Sequence, residues 1–376
     1  MPTTLDANNA LHYLLHTWTN TVTLKSTITP SKKLMIMPKL DWTVNRESTD
    51  YQYGRLDTAA VRISHAIEPS IFLKWKMNRV RSMDLSFAYN TTVPELVNTF
   101  GYRNTIDPLQ ISEGNPLLHN SHSHTTTFGY HRMWLRKQIV LGVSASYRKD
   151  INPTATLYRY NSNTGVYESK PMNVKGGDEW KFGFNYDQGL GVYFRIMNKF
   201  ALSKSQSYGF LTIVDNADPQ AKADLNHQRL LGVNENLELT YETEKLSLTL
   251  FNDLTLNRYR YDDASYNSRP IYNSAGISAR IKLSPVELWI RLADDFRSGY
   301  QTSEMNGHKL MSNASINYSF CKNKCRLALW VDDIFNKDIY YDSEYSAYQR
   351  VENSANYLHH YMNLTFTYRF DAKSKK

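Results

Sequence analysis

The sequence predicts an all-β fold, a large antiparallel transmembrane β-barrel or the major arc of one. Three observations predict it. Apolar and polar residues alternate with a period of two in segment after segment, the mark of strands with one apolar and one polar face. The connections between those segments alternate between short and long, as periplasmic turns and extracellular loops do in membrane barrels. The 376 residues include 27 Tyr, 15 Phe and 7 Trp. Rings with one apolar and one wet end suit the two belts where a barrel crosses the membrane–water interfaces.

Composition narrows the alternatives. Hydrophobic residues make up 41% of the chain and the mean hydropathy is -0.54. No stretch of about 18 residues escapes charged or strongly polar side chains, so no transmembrane helix is expected. The net charge is +8, but Lys and Arg are spread along the chain. No segment concentrates the positive charge that a nucleic-acid partner would need.

Fifteen strands are expected, at 18–29, 33–46, 67–77, 81–90, 123–134, 137–149, 177–187, 190–203, 229–242, 245–259, 269–282, 285–298, 308–320, 324–333 and 357–370. Several show the alternation plainly. Ile139, Leu141, Val143 and Ala145 oppose Gly142, Ser144 and Ser146, and Trp180, Phe182, Phe184 and Tyr186 oppose Lys181, Gly183 and Asn185. Leu246, Leu248, Leu250, Leu254 and Leu256 oppose Ser247, Thr249 and Phe251. Val286, Leu288, Ile290 and Leu292 oppose Glu287, Trp289 and Arg291. In the last strand Leu358, Met362, Leu364, Phe366, Tyr368 and Phe370 share a face, interrupted by His360. Many segments exceed the usual soluble strand of about 5–6 residues and reach the roughly 9–11 of a tilted membrane strand.

The short connections read TPSKK, MNRVR, RKQ, DQGLG, TEK, LSP and KNK; the long ones cover 47–66, 91–122, 150–176, 204–228, 260–268, 299–307 and 334–356. With a periplasmic C-terminus, every short turn falls in the periplasm and every long loop outside. A β-sandwich also alternates its residues but has no reason to sort its loops by length. The expected organisation is an N-terminal extension or extracellular loop remnant at 1–17, the barrel at 18–370 and a polar tail at 371–376. An odd strand count, and a first strand running inward with an unpaired edge, suggest a partial barrel, since lipid does not tolerate an open edge. The N-terminus has no basic start and no apolar run of secretory length, so a signal peptide is expected to lie elsewhere in a longer precursor.

Five stretches resemble one family. IEPSIFLKWKMNRVRSMDLSFAYN (Ile67–Asn90), IDPLQISEGNPLL (Ile106–Leu118), TLYRYNSNTGVYESKPMNV (Thr156–Val174), WVDDIFNK (Trp330–Lys337) and YMNLTFTYRF (Tyr361–Phe370) occur in that order. They resemble segments of the Bacteroidetes outer-membrane β-barrel family related to TonB-dependent receptors. The resemblance implies an outer-membrane barrel of about 22 strands with a plugged lumen, about seven of them preceding this chain together with a plug. It also implies uptake of a large ligand such as a siderophore, a glycan fragment or a peptide. A TonB-like protein would supply the energy, a barrel-assembly machinery the insertion, and a surface lipoprotein is a further partner class.

Individual residues follow from this frame. Phe366, Tyr368 and Phe370 fit a terminal aromatic assembly signal, equally a lipid-facing girdle. Lys181, Glu238, Glu287, Arg291 and Arg369 are expected to face the lumen, because charge toward lipid is costly. Loops 91–122, 150–176 and 334–356 are the expected ligand-binding loops. His119, His122 and His124 offer a weak metal candidate, against the plainer reading of a solvated loop end. Asp332, Asp333, Asp338, Asp342 and Glu344 form an acidic loop in which Ca²⁺ competes with simple solvation. Cys321 and Cys325 flank a hairpin turn, free or bridged locally. No cofactor is expected. Neither GxSxG nor HExxH occurs, so no enzyme is expected.

Two other readings stand beside the receptor: a passive porin-like, structural or adhesive barrel without energy coupling, and a soluble β-rich surface-binding protein. A partial barrel makes a prediction. Refolded alone in detergent, this chain is expected to give no heat-modifiable monomer on a gel; a heat-modifiable band would show that it closes by itself.

Overall fold

A computed structural model describes residues 11–53, 56–210, 212–214, 224–336, 340–347, 349–355, 358 and 360–370. Among them are no α-helices, four single 3₁₀ turns and twenty-three strands. In chain order these are β1 (Leu11–Lys25), β2 (Ile28–Ser31), β3 (Leu34–Tyr53), β4 (Leu56–Asn78), β5 (Arg81–Thr92), β6 (Arg103–Asp107), β7 (Gln110–Glu113) and β8 (Ser121–Trp134). There follow β9 (Ile139–Ile151), β10 (Thr154–Asn161), β11 (Val166–Asn173), β12 (Asp178–Leu190), β13 (Phe194–Phe210), β14 (Ile213–Val214), β15 (Leu225–Glu242) and β16 (Leu246–Arg260). The last are β17 (Ile271–Leu283), β18 (Val286–Ser298), β19 (Gly307–Phe320), β20 (Cys325–Asp332), β21 (Tyr340–Tyr345), β22 (Arg350–Ala355) and β23 (Tyr361–Tyr368).

Fifteen of these strands form one continuous path, β1-β3-β4-β5-β8-β9-β12-β13-β15-β16-β17-β18-β19-β20-β23, with the short β2 attached to β3. Every pairing along it is antiparallel between strands that follow one another in the wall. Each of the fifteen expected segments has its strand. Several boundaries differ. β1 begins at Leu11 rather than near residue 18, β13 runs on to Phe210, β15 begins at Leu225, and the described residues of 47–66, expected as a long loop, are strand. β3 and β4 stay paired up to Tyr53 opposite Leu56. On β3 the hydrophobic pattern fades beyond Arg46 while the hydrogen bonds continue; opposite it on β4, Val61 and Ile63 keep an apolar face, 61% and 60% exposed. The other long loops also hold strands, gathered in a five-stranded sheet β14-β10-β11-β7-β6 and a two-stranded sheet β21-β22.

The wall is an open sheet. β1 and β23 end the path, and no ladder joins them among the described residues; the sequence leaves open a whole barrel or the major arc of one.

Residues directly opposite across a ladder share a face, so the register defines two surfaces. Val22 lies opposite Trp42 and Trp42 opposite Ile67. Phe128 pairs with Ala145, Ala145 with Phe182, Phe182 with Leu202 and Leu202 with Val233. The row continues through Leu256 to Ile271. At the far edge Leu288 meets Ile316, Ile316 meets Leu329 and Leu329 meets Leu364. That face is mainly apolar, interrupted where Asn198 donates to Glu235 at 2.8 Å, yet Ile67 is 58% exposed, Leu250 52% and Phe366 60%. Such a surface is inverted relative to a soluble core and suits contact with lipid. The opposite face reads Ser146, Lys181, Ser203, Gly232 and Asn257 across β9 to β16.

Several of the well-buried side chains lie toward the loop end. Tyr51 is 2% exposed, Leu96 3%, Met305 2% and Ala347 4%, and Tyr51 packs near Tyr102 at 5.6 Å and Phe100 at 6.3 Å. The two faces make opposite demands on a charge. Leu250→Lys is expected to cost about 2–4 kcal/mol of folding stability in bilayers, because it puts an ammonium in hydrocarbon. Thr249→Lys, on the other face, is expected to cost under about 1 kcal/mol; equilibrium folding into lipid vesicles measures both.

Candidate functional site

The long loops build a crown of their own. The hairpin β10–β11 pairs Thr154–Asn161 with Val166–Asn173. Its turn is set locally: the Asn161 carboxamide accepts from the backbone N–H groups of Asn163 and Thr164. Gly165 takes a φ of 72° that a side chain would disfavour. Tyr160 and Tyr167 pack across the hairpin with ring centres 4.5 Å apart. β7 adds in parallel to β11, with Tyr167 opposite Gln110. Side chains then bind the two loops together. Arg103 pairs with Glu168 and lies 3.6 Å from Glu113. The buried Asn115 donates from Nδ2 to the Pro171 carbonyl at 2.9 Å.

A second crown element is the hairpin β21–β22, and Glu352 fixes it to its neighbour. The Glu352 side chain is 6% exposed. Its carboxylate accepts from the Thr302 N–H at 2.8 Å, the Gln301 N–H at 3.3 Å, the Tyr345 hydroxyl at 2.8 Å and Arg350 Nε at 2.8 Å. Burial opposes the charge on Glu352, but these donors outweigh it and hold its pKa at about 2. Burial, and then the bond to Glu352, push the Tyr345 hydroxyl upward. Tyr345 stacks on Tyr259 with centroids 4.5 Å apart and planes 14° apart. Asn226 Nδ2 donates to the Ala347 carbonyl at 2.5 Å, which ties the hairpin to the start of β15.

Between the two crown elements lies a cleft in two adjoining parts. One, of about 430 Å³, is lined among others by Asn226, Tyr261, Tyr266, Gln301, Ala347 and Arg350. The other, of about 510 Å³, is lined by Gln110, Ser112, Tyr158, Tyr167 and Ser169. Both include Thr212 and Gln349, which makes them neighbours. Amides, hydroxyls and tyrosine rings dominate, and the one guanidinium among the described lining residues, Arg350, is already paired with Glu352. The cleft suits a ligand with many hydrogen-bonding groups.

The expected ligand loops 91–122, 150–176 and 334–356 all contribute to the cleft, through Gln110, Tyr158 and Gln349 among others. The sequence reading missed 204–228, 260–268 and 299–307, which supply Thr212, Asn226, Tyr261, Tyr266 and Gln301. The signal available was Tyr261 and Tyr266 in the connection 260–268, directly after Tyr259 at the end of β16.

The five charged residues expected toward the lumen lie on the polar face of the wall. Lys181 is 2.9 Å from Glu179 and stands in the row opposite Ser203. Glu238 is opposite Phe251, and Glu287 lies 3.5 Å from Arg280. Arg291 covers the Phe251 ring at 4.1 Å. Gly276 makes room for that ring, since a Cβ there would come within 2.7 Å of it. Arg369 follows Tyr368 and bonds through its N–H to the Lys324 carbonyl at 2.8 Å. On the same face Trp289 and Trp330 stack at 5.0 Å beside a hollow of about 310 Å³ that also includes Tyr272, Asp295 and Asn313. The sequence reading gave that pair no role.

The other candidates are dispersed. His122 Nδ1 is 3.1 Å from Thr91 Oγ1 and its ring stacks on Tyr89 at 5.6 Å. His124 stacks on Phe87 at 6.4 Å, while His119 exchanges bonds with Asn173 through its backbone. Asp333 is 2% exposed, Asp332 is opposite Tyr361, and Asp342 and Glu344 lie on β21. Asp338 falls outside the described residues. Among the described residues no group of three or more His, Cys, Asp or Glu is placed to hold a metal ion. Cys321 and Cys325 are both free thiols. Phe366, Tyr368 and Phe370 are exposed on the last strand and its end, with Tyr368 and Phe370 edge to face at 4.4 Å.

The Glu352 contacts set a pH dependence. Its folded-state pKa lies below the ordinary 4.5, so its stabilisation of the hairpin is complete above that value and is lost as pH falls toward 2. Hydrogen exchange at the Thr302 amide is expected to stay protected down to about pH 4.5 and to quicken below it. Glu352→Gln is expected to cost about 2 kcal/mol of that protection at neutral pH.

A model of the outer membrane protein beta-barrel family matches residues 47–368. Among curated proteins, none matches. Among solved structures the chain is similar to one named "Copper transporter OprC", at 10% identity and a TM-score of 0.34, over 96% of this chain and 64% of that one. It thus spans less than two thirds of the length of that structure.

Proposed function

We propose a function from one premise: the chain belongs to the outer membrane protein beta-barrel family. It is an outer-membrane protein, and its apolar face meets lipid. We propose further that it forms the major wall and the ligand-capturing crown of a TonB-dependent-type receptor from a Bacteroidetes bacterium. The cleft is the observation that carries this reading. Two parts of about 430 and 510 Å³ meet at Thr212 and Gln349, which is space for a large polar ligand such as a siderophore, a glycan fragment or a peptide. Six long loops converge on it, and rigid scaffolds commonly place specificity on loops.

In this reading the polar face, with Lys181, Glu238, Glu287, Arg291 and Arg369, lines the lumen. Charges that would be costly in hydrocarbon there meet water or a plug. A TonB-like protein supplies the energy through such a plug. Phe366, Tyr368 and Phe370 present the final strand to the assembly machinery, and a surface lipoprotein can cover the crown. Among the described residues the outer edges of β1 and β23 have no partner strand, which supports completion of the wall by further strands, because exposed N–H and C=O groups are not tolerated in lipid.

The test is uptake by cells carrying the full gene, offered labelled ferric siderophores, oligosaccharides and peptides in turn. One class is expected to accumulate, and a protonophore is expected to abolish the accumulation. Tyr167→Ala is expected to weaken binding of that ligand about tenfold, or about 1.4 kcal/mol. Entry of small solutes that ignores the protonophore would instead establish a passive porin-like barrel. Surface adhesion without any uptake would establish a structural or adhesive one.

A further inference from the structure

Above the apolar band, the lipid-side face changes character between β12 and β17. Trp180 packs against Tyr147 with ring centres 4.4 Å apart. Directly opposite Trp180 stands Lys204, opposite Lys204 stands Leu231, and opposite Leu231 stands Arg258. One step nearer the loops, Arg229 lies opposite Gln206 and Arg260 lies opposite Arg229. Arg260 and Arg269 are both close enough to repel Arg258.

These side chains belong to the lipid side. Lys204 is two residues from Leu202, Arg229 two from Leu231, Arg258 two from Leu256 and Arg269 two from Ile271. Alternation with a period of two returns each to the face of its apolar neighbour. All four of those neighbours lie toward the membrane, and Leu202 is 37% exposed and Leu231 44%. The basic residues thus begin where the hydrocarbon-facing residues stop, in the row marked by Trp180 and Tyr147. Aromatic belts of this kind sit at headgroup level.

Their charge is poorly compensated within the chain. Arg229 reaches Asp262 at 3.3 Å. The nearby Asp178 is taken by Gln206, whose Nε2 donates to it. No ion pair joins Lys204, Arg258, Arg260 or Arg269 to an acid among the described residues. The Nε of Arg258 is enclosed and makes no hydrogen bond. Like charges gathered at one height repel one another and invite an anion. Further along the wall β18 and β19 carry Asp294 and His308 instead, 2.8 Å apart, so the cluster is local rather than a girdle.

We propose that Lys204, Arg229, Arg258, Arg260 and Arg269 form a headgroup site for a phosphate-bearing anionic lipid of the outer leaflet. The guanidinium forks match phosphate oxygens in pairs, and the acyl chains lie along Leu202, Leu231 and Leu256. A soluble phosphate would lack that apolar floor. The inference rests on the outer-membrane location and on the loop end of the wall facing outward, so it stands or falls separately from the transport reading.

The experiment uses the full protein in a neutral detergent. Its thermal melt is followed with short-chain phosphatidylglycerol, with phosphatidylcholine of the same chain length, and with inorganic phosphate. Phosphatidylglycerol is expected to raise Tm by about 3 °C or more, and the other two to leave it unchanged. The triple variant Arg258→Gln, Arg260→Gln and Arg269→Gln is expected to lose the shift. Lys33→Gln with Lys76→Gln, at the opposite end of the wall, is expected to keep it. An equal shift with phosphatidylcholine, with inorganic phosphate or in the triple variant would overturn the proposal. Should the triple variant not fold, salt decides on the unaltered protein: the shift must shrink as ionic strength rises, and a salt-independent shift overturns the site.

Discussion

The unbroken backbone ladder is the constraint on which everything else depends. In hydrocarbon no water can satisfy an N–H or a C=O, so every strand must pair along its membrane length. From β1 to β23 each wall strand finds its partners in its neighbours along the path. That pairing fixes the register, and the register fixes the faces, because a slip of one residue would exchange the two surfaces completely. The shared face of Val22 and Leu364 is therefore a consequence of hydrogen bonding as much as of side-chain choice. Among the described residues the ladder stops at the outer edges of β1 and β23, and there the wall is open.

Past the apolar band the logic changes. Water is available, so the chain is free to leave the wall and to make polar contacts of its own. β3 and β4 remain paired as far as Tyr53 and Leu56, while other connections fold into separate small sheets. Charged and amide side chains do there what apolar contacts do in a soluble core. Asn115, Arg103 and Glu352 each bind segments distant in sequence. Glu352 is an economical case: one enclosed carboxylate gathers two backbone N–H groups, a phenol and a guanidinium, and it holds the hairpin β21–β22 against the loop before β19. The cleft exists because these fastenings hold two independent elements apart.

Charge is sorted by surface and by height. On the polar face Lys181, Glu287 and Arg291 each meet a counter-charge or an aromatic ring. On the lipid side, basic residues cluster above the apolar band, at the level of Trp180, while Glu235 lies lower and accepts from Asn198. The same alternation that keeps cations out of hydrocarbon delivers them to the headgroup layer as soon as the strand emerges. A strand longer than the membrane thus carries two surfaces on one face, the lower for acyl chains and the upper for polar groups.

The sequence by itself determined the wall. Fifteen alternating segments became fifteen strands on one path, the short turns fell at one end, and Lys181, Glu238, Glu287, Arg291 and Arg369 fell on the polar side. Period two is a property of consecutive residues, so it can be read without knowing any partner. Tertiary structure alone decided the rest. The segment 47–66 looked like a loop because the run from Glu47 to Tyr53 has no apolar alternation, though its backbone stays paired with β4. The contribution of Tyr261, Tyr266 and Gln301 to the cleft, the stacking of Trp289 on Trp330, and the gathering of Arg258, Arg260 and Arg269 depend on which strands lie side by side. No local pattern encodes those meetings, because they join residues far apart in sequence whose only common feature is their position in the register.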